Sequence, residues 1–198
     1  MPNMESIREL LVDEMRDLYD AEKQLVKALP KMAKTSSNDA LRDAIESHLE
    51  QTKGHVQRLE QAFEMLDGKV RSKPCKAMKG LIEEGKETMG EDLAELLMDS
   101  ALICAAQKVE HYEIAGYGTV SAWARSLGLD DVAELLEATL AEEKDADEKL
   151  TQVAEEVLSE AEQAQESTGE EEDAESDVRK RGVTSKSGNG NRSRRRAS

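Results

Sequence analysis

Residues 91–125 read EDLAELLMDSALICAAQKVEHYEIAGYGTVSAWAR. Apolar side chains recur here at spacings of three and four, at Leu93, Leu96, Ile103, Ile114 and Tyr117. That is the period of an amphipathic helix and not the alternation of a strand. Ser100, Gln107 and Glu110 fall on the same stripe, and Glu110 stands one heptad after Ile103 and one before Tyr117. A lone carboxylate in a core costs several kcal/mol to desolvate and is normally neutral or paired. The long helix predicted here therefore carries a group that needs a partner.

Three further windows repeat the pattern. Helix one is predicted over roughly 4–34, with Ile7, Leu11, Met15, Leu18, Leu25, Leu29 and Met32 on one face and Pro30 placed to kink its end. Helix two covers roughly 39–66, with Leu41, Ile45, Leu59, Phe63 and Leu66, and Ser37 or Asn38 as its cap. Asp67-Gly68 stops it. A short helix around 75–88 follows Pro74, helix three takes 91–125, and Leu127-Gly128 ends it. Helix four covers roughly 130–158, with Val132, Leu136, Leu150, Val153 and Val157. The first and last links are short and the middle one is long. Two antiparallel hairpins joined by one long crossover make the ferritin-like arrangement, so the expected fold is all-α: a ferritin-like four-helix bundle with an extra short helix in the crossover and a disordered C-terminal tail.

Composition narrows the class further. The chain has 198 residues, a formal net charge of −16, 35% charged and 3% aromatic residues. Strand-rich domains use more aromatic and β-branched residues. No apolar run is long enough to span a bilayer, and the start MPNMESIREL lacks the apolar core of a secretory signal. Two cysteines, Cys75 and Cys104, suit a reducing cytoplasm. The bundle is expected over 1–158 and a charged tail over 159–198. Residues 159–178 hold nine acids and no base, and residues 179–198 hold eight bases and no acid. Such segregated charge predicts disorder. The basic tip supports at most weak, non-specific contact with nucleic acid, because no aromatics are present for base stacking.

The polar intruders line up in depth. Glu22 stands one heptad from both Met15 and Leu29, and Glu143 one heptad from both Leu136 and Leu150. Helix two contributes His48, Thr52 and His55. The spacing from Glu22 to His55 is 33, as is that from Glu110 to Glu143, so each hairpin brings its intruders to one level. Several carboxylates with an imidazole make an oxygen-rich cage suited to two iron or manganese ions. The alternative is a set of buried Glu–Lys or Glu–Arg pairs, with Lys23, Lys53 and Lys108 at hand.

At Asp17-Leu-Tyr-Asp-Ala-Glu-Lys-Gln-Leu25, His48-Leu-Glu-Gln-Thr52 with Arg58-Leu-Glu60, Glu110-His-Tyr-Glu-Ile-Ala-Gly-Tyr117 and Leu140-Ala-Glu-Glu-Lys144, the chain resembles the YciE/YciF family of ferritin-like, rubrerythrin-related proteins. The resemblance covers roughly 4–158. It implies a bundle with a di-iron or di-manganese site, often a homodimer, associated with bacterial stress responses, and no firm enzymatic activity. Position by position, it implies Glu22 as the helix-one ligand, Glu110 and Glu113 as an E-x-x-E pair, and Glu143 as the bridging carboxylate. Asp147 stands where related sites keep a histidine. The E-x-x-H of helix two is absent, since Glu50 is followed by Lys53. Both Glu50 and His55 are candidates there, and His48, Tyr19, Tyr112 and Tyr117 read as packing residues. Gly116 and Gly118 sit within a helix and read as points of close helix contact, not as a nucleotide loop; Cys104 reads as a buried thiol. The functional expectation is a metal-binding stress protein handling iron or peroxide. Its competitor is a non-catalytic, dimeric interaction protein with a degenerate site.

Overall fold

The computed structural model describes residues 6–66 and 69–184 and, among them, five helices and no strand. The helices are α1 (Ile7–Thr35), α2 (Asp39–Met65), α3 (Lys76–Thr88), α4 (Glu95–Ser126) and α5 (Asp130–Thr184). No helix among the described residues is long and apolar enough to cross a membrane.

Local chemistry sets the boundaries. Ser6 caps α1 in a reciprocal box: its hydroxyl accepts from the Glu9 amide while the Glu9 carboxylate accepts from the Ser6 amide. The helix runs through Pro30 to Thr35 without interruption. Of the two candidate caps for α2, Asn38 takes the role, its Oδ1 accepting from the Leu41 amide at 2.9 Å. Cys75 starts α3, and α4 begins at Glu95 with no side-chain cap, later than the periodicity implied. Gly128 carries φ 68° in the α4–α5 turn, a conformation that favours glycine. Asp67-Gly68, the expected stop of α2, lies outside the described residues.

The chain divides into two units, 1–158 and 159–198. Disorder was the expectation from Ser159 onward. The last helix instead continues to Thr184. The segment after Leu158 is rich in Glu, Gln and Ala, which favour helix even where no apolar stripe calls for one. Lys186 and Arg192 to Arg196 of the basic tip lie outside the described residues.

The apolar core of the bundle is in two parts. One holds Leu25, Leu29, Leu41, Ile45, Leu102, Ile103, Val109, Leu150 and Val153. The other holds Leu11, Met15, Leu18, Leu59, Phe63, Tyr117, Val120, Val132 and Leu136. Along every helix of the two hairpins the switch from one part to the other falls at the polar intruders. Gly116 provides a tight crossing, because a Cβ there would meet Leu18 Cδ2 at 2.7 Å. Gly118 does not, having nothing within 4 Å. Cys104 is exposed on α4, correcting its reading as a buried thiol, while Cys75 is buried.

Candidate metal centre

The belt between the two core halves is built by six buried side chains. Glu22 comes from α1, His48 and His55 from α2, Glu110 and Glu113 from α4, and Glu143 from α5. His48, Glu110, Glu113 and Glu143 each bring one ligand atom within 4.8 Å of the others, and Glu22, His55 and Glu143 do the same. Glu143 belongs to both groups. His48 Nε2 lies 3.4 Å from Glu110 Oε1 and 3.8 Å from Glu143 Oε2. His55 Nδ1 lies 2.9 Å from Glu143 Oε1 and 3.4 Å from Glu22 Oε1.

Among the described residues, no lysine or arginine forms an ion pair with these four glutamates. The lysines that might have matched them are engaged elsewhere: Lys23 over the Tyr19 ring, Lys53 with Glu50, and Lys108 with Glu84. Of the ten buried side-chain nitrogen and oxygen atoms without a hydrogen-bond partner among the described residues, nine belong to the six belt residues. Both oxygens of Glu113 are among them; His55 Nδ1 and Glu143 Oε1 are too, although at 2.9 Å they form an ion pair with each other and are not bare. Buried polar groups are normally satisfied, and one left alone costs about 1–3 kcal/mol. Hard oxygen donors from four helices, two imidazoles and this concentration of unsatisfied atoms fit a pair of divalent or trivalent cations.

Proton occupancy follows from the same burial. Burial pushes Glu110 and Glu113 well above the usual carboxylate range, with Glu143 adding to it at Glu110 and Glu22 at Glu113. Burial also raises Glu22, against the opposing pull of His55. Burial works the same way on Glu143, but the bond with His55 and the charges of His48 and His55 outweigh it and hold this carboxyl low. Burial pulls His55 down, yet its bonds to Glu143 and Glu22 prevail and its pKa is pushed up to about 10. Burial keeps His48 below its ordinary value. The metal-free belt therefore favours an imidazolium at His55 facing the Glu143 carboxylate, while Glu22, Glu110 and Glu113 hold their protons more tightly than free carboxyls do.

A second layer fixes the first. Tyr117 Oη donates to Glu22 Oε1 at 2.5 Å. His55 Nε2 meets Glu142 Oε2 at 2.9 Å, and Arg58 grips both Glu142 oxygens at 2.8 and 2.6 Å. A carboxylate on the outer nitrogen of a ligating histidine sets its tautomer and leaves the inner nitrogen for a metal. Sequence reading missed Glu142 and took Tyr117 for packing. The Arg58 segment was noted as part of a motif without a role.

Two of the expected ligands lie outside the belt. The Glu50 side chain is 71% exposed and pairs with Lys53; two residues from both His48 and Thr52, it points roughly 160° away from the buried face of α2. Asp147 is turned toward Gln107 at 3.4 Å and the exposed His111 at 3.4 Å. In exchange His48, read as a core histidine, lies in the belt. Its signal was visible, since His48 and His55 are one heptad apart and share a face. Thr52, three residues before His55, is buried, and its hydroxyl donates to the His48 carbonyl at 2.8 Å.

Connectivity and belt together define a helical-bundle protein of ferritin-like arrangement with a buried carboxylate–imidazole cluster. The chain belongs to the DUF892 family, described as a domain of unknown function, which matches residues 6–165. It is 46% identical over 153 residues to Protein YciF of Escherichia coli strain K12, covering 77% of this chain and 92% of that protein. The crystal structure of the E. coli stress protein YciF matches with a TM-score of 0.77 and 44% identity, over 79% of this chain and 99% of that one. YcfI of Rhodopseudomonas palustris, whose description proposes a structural role, matches with a TM-score of 0.74 and 44% identity, over 76% and 96%. The resemblance to the YciE/YciF family is thus borne out.

Proposed function

We propose that the chain is a metal-binding stress protein of this family, holding two iron or manganese ions with Glu143 as the shared ligand. Glu113 carries the reading: it is fully buried, both its oxygens are unpartnered, and three more buried glutamates surround the same space. Glu110, Glu113 and His48 would hold one ion, and Glu22 and His55 the other. Bound iron would supply exchange between ferrous and ferric states, which removes reactive iron and consumes peroxide or dioxygen. The chain's own part is positional. The two apolar core halves exclude water, Tyr117 orients Glu22, and the Arg58–Glu142 pair orients His55. To hold a cation, Glu110, Glu113 and His55 would have to give up the protons that burial and their neighbours favour. The stress association is taken from the E. coli relative, which is described as a stress protein.

The test is the metal content of chain purified aerobically with ferrous iron added. About two ions per chain are expected for the wild type, with a clear loss in Glu143→Ala. A value near zero for both removes the reading. A second reading, a non-catalytic dimeric interaction protein with a degenerate site, is favoured by Thr52 spending its hydroxyl on backbone and by Asp147 facing outward. It also agrees with the description of YcfI. The same near-zero value would select it.

A further inference from the structure

A cavity of about 440 Å³ runs from the surface to the belt, bounded by α2, α4 and α5 with Leu29 of α1 at its back. Its exposed members, Asp43, Ser47, Asp145 and Lys149, mark where it meets solvent. Its floor includes His48 and Glu110. Between mouth and floor the walls are Leu29, Ile45 and Leu150, together with alanines contributed by three helices, Ala44, Ala106 and Ala146. The volume exists because those wall positions carry alanine where a larger side chain would close it.

We infer that this cavity binds a neutral organic molecule with an apolar body of about ten to twenty non-hydrogen atoms, its oxygen-bearing head set against His48 and Glu110. Size comes first. A water claims about 30 Å³ of liquid, so dioxygen or hydrogen peroxide would leave most of this space unfilled. The largely apolar walls offer ordered water few partners. The floor is the second observation. His48 is only 6% exposed, both its ring nitrogens lack a hydrogen-bond partner, and Glu110 Oε2 beside it is equally unpartnered. These atoms can bond the head of a guest. Charge decides the kind of head in the metal-free chain: Asp43 and Asp145 outnumber Lys149 at the mouth and disfavour an anion.

The inference rests on the metal reading only for what surrounds the guest's head in the loaded protein. Binding itself requires no metal, so the two fail separately. The probe is 1-nonanol, titrated into the full chain before and after metal loading and followed by calorimetry and amide chemical shifts. Saturable one-to-one binding is expected, with shifts concentrated at Ile45, Ala106 and Ala146. In the metal-free chain nonanoate should bind at least tenfold more weakly. Ala146→Phe and Ala44→Phe fill the cavity from two helices, and each should weaken 1-nonanol at least tenfold while keeping wild-type metal content. If one of them fails to fold, the other decides. No saturable binding, or binding that the filled variants retain, or nonanoate binding the metal-free chain as well as nonanol does, overturns the inference. Nonanol binding in a chain that takes up no metal would leave it standing and remove the metal reading instead.

Discussion

Asp99 and Glu113 are both fully buried carboxylates on α4, and their surroundings are opposite. Asp99 ties down the α1–α2 turn. It accepts from the Ser36 hydroxyl at 2.9 Å, the Ser37 amide at 3.0 Å, the Asn38 amide at 2.9 Å and the Ser37 hydroxyl. Glu113 accepts from nothing. The chain thus knows how to satisfy a buried carboxylate and has not done so at mid-height. An acid that the fold uses for its own architecture arrives with its donors, whereas one kept for a cation is left bare.

The sharpest way to break that contrast is to add the cation. At a free metal concentration about a thousand times the dissociation constant, stability should rise by about 4 kcal/mol. Urea titrations with and without ferrous or manganous ion measure it, and Glu143→Ala should lose most of the gain. An unchanged midpoint in the wild type would mean that Glu113 is merely an ill-satisfied acid. Next in size is Asp99→Ala, which strips donors from the turn and should cost about 3 kcal/mol, metal or no metal. Were that loss to vanish on metal loading, Asp99 would belong functionally with the belt.

Glu113→Leu should act in the other direction. Replacing a buried, unsatisfied carboxyl with an apolar side chain of similar size should stabilise the metal-free chain by about 2 kcal/mol. The same variant should forfeit most of the metal-dependent gain. Destabilisation of the metal-free form would show that Glu113 has a partner after all.

The pH dependence should be somewhat smaller, about 1–2 kcal/mol between pH 5 and 8. Glu22, Glu110 and Glu113 keep protons in the folded chain at a pH where the unfolded chain has released them. His55 keeps its proton up to about 10. The folded state then binds more protons than the unfolded state across this window, so metal-free stability falls as pH rises. His48, lowered by burial, opposes this, but only below its ordinary value. With metal bound the protons are gone, and stability should instead fall as the pH drops. Thermal midpoints of both forms over that range would reveal whether the slopes differ in sign.

The helices, their hairpin order and the level of the belt were legible in the sequence because periodicity and loop length report directly on which face is buried. Glu22, Glu110 and Glu143 stood out as charges on heptad positions. Glu113 was reached through the E-x-x-E of the resemblance. Glu50 was overread, since a residue nearly opposite the buried face of a helix reaches solvent however well its neighbours match a motif. His48 was underread for want of weight on its shared face with His55. Glu142 could not be found: whether a residue beside a ligand turns toward Arg58 and His55 or toward solvent depends on how α2 and α5 are rotated against each other, which spacing along one chain does not encode. Asp99 was equally opaque, because its donors are backbone amides of a turn more than sixty residues away.

The smallest effect probes how the belt is held rather than what it holds. Gly116 and Gly118 lie two residues apart on α4, and sequence reading gave them one role. Gly118→Ala has open space around its new Cβ and should gain about 1 kcal/mol from helix propensity alone. Gly116→Ala forfeits that gain and more, for a net loss of about 1 kcal/mol, because its Cβ would stand 2.7 Å from Cδ2 of fully buried Leu18. Leu18 lies one turn before Glu22 on α1, and Gly116 precedes Tyr117, whose hydroxyl orients Glu22. Pushing α1 from α4 at this crossing should lengthen that bond and weaken metal uptake on the Glu22–His55 side while Gly118→Ala leaves it untouched. Metal titrations of the two variants side by side would tell. Equal affinities would mean that the Glu22 carboxylate keeps its place without the tight α1–α4 crossing.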